Sequence, residues 1–253
     1  MTKIYCISDL HLEKYEFYQE LIDKITFPEA DILILAGDIG YPIGNDKNNY
    51  VNFLKYVKSK YQYVILICGN HEYYQCEFPE KKSRDKIFLE IKKICEDNNI
   101  ILLEKNSVIV NNIKIIGTTL WSCIDKQACS FMNDFRYCFS DRFDYICEFS
   151  ESYKYLKKEL EEDDKKYPIV VVTHHLPTNY LIHERFSNNE INTGFATEIL
   201  DNLNIHNVKY WFCGHTHEYK KRKYGNNTTL IVNPMGYKNE KKYTSLSLEV
   251  FKL

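Results

Sequence analysis

The sequence predicts an α/β fold with a sizeable buried core. Three observations carry this. Apolar runs rich in β-branched residues recur along the chain, helical periods separate the early ones, and two runs, ILILA and IVVVT, are apolar but for one closing threonine. Strands that read apolar throughout are usually buried on both faces. Strands that alternate with helices imply parallel β-α-β units.

The elements follow in order. A strand at 3–8 leads to an amphipathic helix at 15–25. A strand at 31–36 leads to a helix at 49–60, and a strand at 63–68 to a helix at 83–98, where Ile87, Ile91 and Ile94 share one face. Short strands follow at 100–103, 107–110 and 113–118. Beyond them lie strands at 168–173, 208–213, 229–233 and 245–251, with helices at 150–162 and 193–203. This later part has more strands per helix, which suggests antiparallel pairing or a second sheet. The charged run 157–166 reads as a solvated helix end, and the basic stretch 219–223 as an exposed turn. Segment 121–149 fits neither period and is rich in aromatic residues and cysteine (Cys123, Cys129, Cys138, Cys147). A long irregular stretch inside a compact domain is commonly a functional loop or lid. The alternative is a hydrophobic cluster packed over a sheet edge.

Composition narrows the function classes. The 253 residues carry 33 Lys+Arg against 35 Asp+Glu, a formal charge of −2. A near-neutral chain has no global field to gather polyanions, so long nucleic acid is not expected as a partner. A hydrophobic content of 44% with 27% charged residues is ordinary for a globular protein. No repeat or linker divides the chain, so one domain over 1–253 is expected, with 121–149 as a possible lid. No apolar run reaches the ~18 residues of a membrane span, and MTKIYCISDL lacks the pattern of a signal peptide. The expectation is a cytoplasmic protein without a membrane partner. The nine cysteines are irregularly spaced and form no CxxC pair, so they read as small core hydrophobes.

The informative feature is where His, Asp and Asn fall. Asp9 and His11 (DLH) follow the first predicted strand, Asp38 (AGD) the second, and Asn70 and His71 (CGNHEYY) the third. His174 and His175 follow PIVVVT, and His215 and His217 (GHTH) follow VKYWFC. Open α/β sheets place ligand-binding residues just past the carboxyl ends of their strands, and six of the eight histidines sit there. Imidazoles, carboxylates and one amide, without thiolates, suit Mn, Fe, Zn or similar ions. Two ions about 3.5–4 Å apart need a bridging ligand, and Asp38, alone after its strand, is the natural one. Gly37, Gly69 and Gly214 flank the ligands and permit sharp turns and close approach.

Taken together, DLH, GD, GNHE, THH and GHTH, in this order, resemble the calcineurin-like metallophosphoesterase superfamily. The phrases GTTLW, MNDFR, VVTHHLP and NPMGY are similar to its small single-domain members. The resemblance implies a four-layer α/β/β/α sandwich, two mixed β-sheets flanked by helices. It implies one metal ion held by Asp9, His11, Asp38 and His217, and a second held by Asp38, Asn70, His174 and His215. His71 would sit by the scissile phosphate as the catalytic group, and His175 would contact substrate or support the ligands. The implied reaction is hydrolysis of a phosphate ester by a metal-bridging hydroxide.

A phosphomonoester is the expected substrate, with a phosphodiester of nucleotide type as the alternative and a non-catalytic binding scaffold as a third reading. Extra cations would favour a doubly charged monoester. Arg136, and after it Arg185, are the candidates, with Asp134 orienting Arg136 or capping a turn. Tyr73 and Tyr74 are candidate pocket residues. His183 and His206 read as ordinary surface or core histidines.

Overall fold

The computed structural model describes residues 1–76, 82–240 and 246–253. Among them the strands are β1 (Lys3–Ile7), β2 (Ile32–Ala36), β3 (Tyr63–Ile67), β4 (Ile101–Leu102), β5 (Asn106–Val110), β6 (Ile113–Thr118), β7 (Ile169–Thr173), β8 (Val208–Cys213), β9 (Lys220–Tyr224), β10 (Thr228–Val232) and β11 (Phe251–Lys252). The helices are α1 (Tyr18–Ile22), α2 (Lys47–Lys60), α3 (Arg84–Asp97), α4 (Lys126–Cys129), α5 (Asp134–Tyr137) and α6 (Arg142–Glu161).

Two mixed sheets form. One has the order β11-β1-β2-β3-β4 and the other β5-β6-β7-β8-β10-β9. In the first, β1 through β4 run parallel and β11 pairs antiparallel to β1. In the second, β6, β7, β8 and β10 run parallel, and the edge strands β5 and β9 are antiparallel.

Strand alternation sorts the side chains into two packed layers. Ile4, Cys6, Ile32, Ile34, Ile65 and Ile67 of the first sheet meet Ile113, Ile115, Val170, Val172, Phe212 and Ile231 of the second. The intervening residues face outward beneath helices. Tyr5, Ile7, Leu33, Leu35, Val64 and Leu66 cluster with residues of α2 and α3, among them Phe53, Leu54, Ile87 and Ile91. Ile116, Val171 and Trp211 cluster with Tyr145, Leu156 and Leu160 of α6. Both faces of the central strands are therefore covered, which is why ILILA and IVVV are apolar throughout, while the closing Thr173 donates its hydroxyl to His175 O. The result is the expected four-layer arrangement. No helix among the described residues is long and apolar enough to cross a membrane.

Several elements differ from the sequence reading. Helix α6 begins at Arg142, not 150, because Asp141 caps it: its Oδ1 accepts from Asp144 N at 2.9 Å. The helix expected at 193–203 is replaced by one-turn 3₁₀ segments at Asn192–Gly194 and Leu200–Asn202. A backbone bridge from Leu176 to Ala196 holds this stretch extended. The basic stretch expected to be a turn is strand β9, whose run of Lys and Arg suits a sheet edge. The strand expected at 245–251 is reduced to β11; residue 245 lies outside the described residues. Segment 121–149 is largely helical, in α4, α5 and the first turns of α6.

Ile34 is fully buried between the sheets. Ile34→Ala should cost about 2–5 kcal/mol through lost burial and a residual cavity. Urea unfolding checks it; a midpoint within error of the wild type would contradict the two-sheet core.

Candidate metal centre

The parallel strands of both sheets end on one side of the molecule, and the polar residues lie just past those ends. Asp9 and His11 follow β1, Asp38 follows β2, and Asn70 and His71 follow β3; His174 follows β7, and His215 and His217 follow β8. The turns are tight. Asp9, His11, Asp38, His215 and His217 all adopt left-handed φ of 51 to 72°. Each such residue costs about 1–3 kcal/mol and persists only where its surroundings over-determine it. Here Asp9 N donates to Gly37 O at 3.0 Å, His11 N to Asp38 O at 3.0 Å, and His215 N to Asp9 Oδ1 at 3.0 Å. Glu72, fully buried, ties two turns together: it accepts from Gly69 N at 2.7 Å, Asp38 N at 2.9 Å and Ile39 N at 2.7 Å.

Two glycines are required by close approach. A Cβ at Gly69 would collide with Asp38 Oδ1 and lie 2.6 Å from Asp38 N. At Gly37, which has φ +86°, a Cβ would lie 2.5 Å from His174 Nδ1 and 2.7 Å from Gly69 N.

Among the described residues three groups of side chains could hold a metal ion, their donor atoms within 4.8 Å of one another: Asp9, His11 and His217; His11, Asp38 and His71; and Asp38, His174 and His215. Asp38 belongs to two of the groups, at the centre. Asn70 Oδ1 lies 3.1 Å from His174 Nε2, so the amide joins the third group.

The hydrogen bonds orient the imidazoles inward. His11 Nδ1 lies 3.0 Å from Glu13 Oε1, His217 Nδ1 lies 2.6 Å from Glu240 Oε2, and His174 Nδ1 lies 2.9 Å from Ala36 O. These carboxylates and this carbonyl are acceptors, so each Nδ1 carries the proton and each Nε2 turns a lone pair to the centre. There the lone pairs collide. His11 Nε2 and His217 Nε2 face each other at 2.9 Å, and His174 Nε2 faces Asn70 Oδ1 and, at 3.3 Å, Asp38 Oδ2. Such pairs hold only if a proton or a cation lies among them.

The electrostatics agree. Burial depresses the His217 imidazole, but the carboxylates of Asp9 and Glu240 raise it to about 10. Burial likewise opposes a charge on His174, yet Asp38 and then Asp9 raise it to about 9. Burial would raise the Asp38 carboxyl, but His174, His71 and His11 hold it well below the carboxylate range. Two separate points in this buried cluster therefore call for positive charge, one beside Asp9 and one beside Asp38. By contrast, burial and then neighbouring imidazoles push His215 far below the ordinary range, and its Nε2 has no hydrogen-bond partner. A neutral imidazole with an unused nitrogen is a metal donor. The donor set fits two cations.

The other expected residues fall as follows. His71 is buried; its Nδ1 lies 2.9 Å from Glu13 Oε1, and its Nε2 lies 3.3 Å from Tyr237 OH and 4.0 Å from Asp38 Oδ2. Burial lowers His71, but Asp38 and Glu13 outweigh it and raise its pKa. His175 does not reach the cavity. It is fully buried, its Nε2 lies 3.2 Å from Tyr145 OH, and its ring stacks on His215 with centroids 4.1 Å apart. Arg136 is exposed on α5 beside the Tyr137 ring and is absent from the cavity wall, because the helical turn of α5 points Asp134 inward instead. Arg185 lines the cavity and pairs with Glu218. Tyr74 and His183 line it too, whereas Tyr73 packs against Trp121 in the core.

Sequence reasoning missed the residues that hold the ligands. Glu13 Oε1 serves both His11 and His71; burial opposes its charge, but these two imidazoles pull its pKa down to about 2. Glu240 serves His217. Asp134 does not orient Arg136: its Oδ1 accepts from Asn70 Nδ2 at 2.9 Å and from Tyr74 OH at 2.7 Å, which turns the Asn70 oxygen to the centre. Only Glu13, two residues past DLH, offered a local signal.

A cavity of about 510 Å³ opens over Asp38, Asn70, His71, His215 and His217. Its far wall comes from two loops, around 131–133 and 182–195.

The fold and this centre agree with the comparisons. Residues 2–219 match the family model for calcineurin-like phosphoesterases, so the chain belongs to that family and is a metal-dependent phosphoester hydrolase. It is 28% identical over 267 residues to an uncharacterized protein of Acanthamoeba polyphaga mimivirus, covering 93% of this chain and 91% of that one. Among solved structures it resembles a phosphopantetheinyl hydrolase from Mycobacterium tuberculosis, with a TM-score of 0.75 and 17% identity, covering 95% of this chain and 91% of that one. It also resembles a dimetal phosphatase from Danio rerio, with a TM-score of 0.53 and 10% identity, covering 91% and 86%. At these identities the structural likeness concerns the fold.

Glu240→Gln and Glu13→Gln should each weaken divalent-metal binding roughly 10–100-fold, since supporting partners of ligating histidines typically count for that much. Competition against a fluorescent chelator measures it. Unchanged affinity in both variants would contradict the orienting role.

Proposed function

We propose that this protein hydrolyses a phosphodiester at a dinuclear metal centre. The observation that carries the two-metal reading is the central place of Asp38, which groups with His174 and His215 on one side and on the other with His11, itself grouped with Asp9 and His217. Asp9, His11, Asp38 and His217 would hold one ion, and Asp38, Asn70, His174 and His215 the other. Ions of the Mn, Fe or Zn type suit these nitrogen and oxygen donors, and manganese in a cytoplasmic setting is our working choice. When bound, such a pair lowers the pKa of water and neutralises phosphoryl oxygens.

The chain's own groups do the rest. His71, its Nδ1 held by Glu13, presents Nε2 toward the cavity beside Tyr237 OH. Asp38 and Glu13 favour its protonated form, whose Nε2 proton it can donate to the departing alkoxide. His175, neutral and packed beneath His215, supports that ring and does not meet substrate. Segment 121–149 supplies Asp134 to Asn70 and part of the cavity wall, and we read it as a fixed wall, part of one catalytic unit with the two sheets.

The ester class follows from cavity charge. A monoester dianion needs cations beyond the metals. Among the described residues, Arg136 lies outside the cavity, the charge of Arg185 is offset by Glu218, and Glu240 is engaged by His217, so the wall adds little net positive charge. A singly charged diester suits these surroundings better than the monoester expected from the sequence. The monoester is the competing reading, favoured by His183 and Arg185 at the rim.

The test compares 4-nitrophenyl phosphate with methyl 4-nitrophenyl phosphate, which share a leaving group. With Mn²⁺ the diester should show a kcat/KM at least about tenfold higher, and chelator should abolish both rates. Turnover that survives chelation contradicts the metal centre; preference for the monoester contradicts the charge argument.

A further inference from the structure

The cavity is much larger than a phosphoryl group requires, and its surfaces differ. One side is the polar cluster. The opposite side is rich in apolar side chains, Phe131, Met132, Ile182, Phe186, Ile191 and Phe195, with Asn133, Asn189 and Asn192 set among them. Phe131 and Phe186, at 66% and 40% exposure, stand at the rim, where large apolar side chains otherwise lose by facing water. Phe195 reaches inward, its ring centroid 4.8 Å from that of His215, so apolar surface extends to the edge of the metal cluster.

This wall is built. Its two loops lock together through Asp125 N donating to Thr193 Oγ1 at 3.3 Å and Cys123 N to Thr197 Oγ1 at 2.7 Å. Gly194 leaves room for Met132, whose Sδ would lie 2.8 Å from a Cβ there. Asn192 Nδ2 fixes the Phe186 carbonyl at 2.7 Å.

Charge decides what the wall can take. Beyond the metal cluster the described residues offer the cavity Arg185, engaged by Glu218, and His183. That is no array for a second phosphate, so polyphosphates and nucleic acid strands are poorly matched. A volume of about 510 Å³ falls in the range of cavities that enclose a drug-sized, mostly apolar ligand with a few polar anchors.

We propose that the far wall is a specificity site for an uncharged, apolar organic group of about the size of two fused rings, carried by a substrate with a single phosphoryl group. This rests on the phosphoester-hydrolase reading and adds the class of alcohol that the enzyme selects.

The test uses non-hydrolysed ligands of equal single charge, the methyl monoesters of 2-(1-naphthyl)ethylphosphonate and ethylphosphonate, titrated calorimetrically into the Mn²⁺-loaded protein. The naphthyl compound should bind at least about tenfold tighter. The double variant Phe131→Ala/Phe186→Ala, checked for unchanged metal content, should lose most of that preference. Equal affinities in the wild type, or a preference untouched by the double variant, overturn the proposal. Turnover of methyl 4-nitrophenyl phosphate in the same wild-type sample judges the parent reading separately: an intact binding preference without turnover overturns hydrolysis and leaves the apolar site standing.

Discussion

Everything at this centre depends on how closely the ends of the two sheets approach. Asp38 and Gly69 follow neighbouring strands of one sheet, and His174 comes from the other, yet no Cβ fits at Gly69 beside the Asp38 carboxylate. The His174 ring reaches across the gap to donate to Ala36 O. A side chain at Gly69 or Gly37 would spread the turns by more than a metal–ligand bond tolerates. The inter-sheet layer of isoleucine and valine sets the separation, and the glycines let the backbones use it. Core packing and ligand geometry are thus one constraint.

Convergence at this range has an electrostatic consequence. Lone pairs and carboxylates gathered in a dry cluster repel unless positive charge joins them. The cluster signals this at two places, His217 beside Asp9 and His174 beside Asp38. Five left-handed residues set the donors through backbone conformation, so the fold itself carries this strain. Glu13 adds a coupling: one oxygen orients both a candidate ligand, His11, and the candidate acid, His71.

The sequence made most of the fold and the inner donors legible, for identifiable reasons. Doubly buried strands announce themselves as continuous apolar runs, and donors at their carboxyl ends stand out against that background. The supporting groups were hidden because their partners are distant in sequence. Glu240 lies 23 residues from His217, and Asp134 lies 64 from Asn70. Neither distance has a local signature. The start of α6 was obscured by aromatic residues that pack on Trp121 and His175 and blur the helical period. The loop at 193–203 shows a helical pattern that tertiary pairing with Leu176 overrides. Arg136 misled because adjacency to MNDF says nothing about which way a short helix turns its side chains.

The central claim is that two cations share Asp38. Crystals of the protein soaked in Mn²⁺, with diffraction recorded above and below the manganese edge, test it most directly. The account predicts two anomalous peaks per chain, one among Asp9, His11 and His217 and one among Asn70, His174 and His215, with the Asp38 carboxylate between them. A single peak, or two peaks of which neither is bound by Asp38, would contradict it.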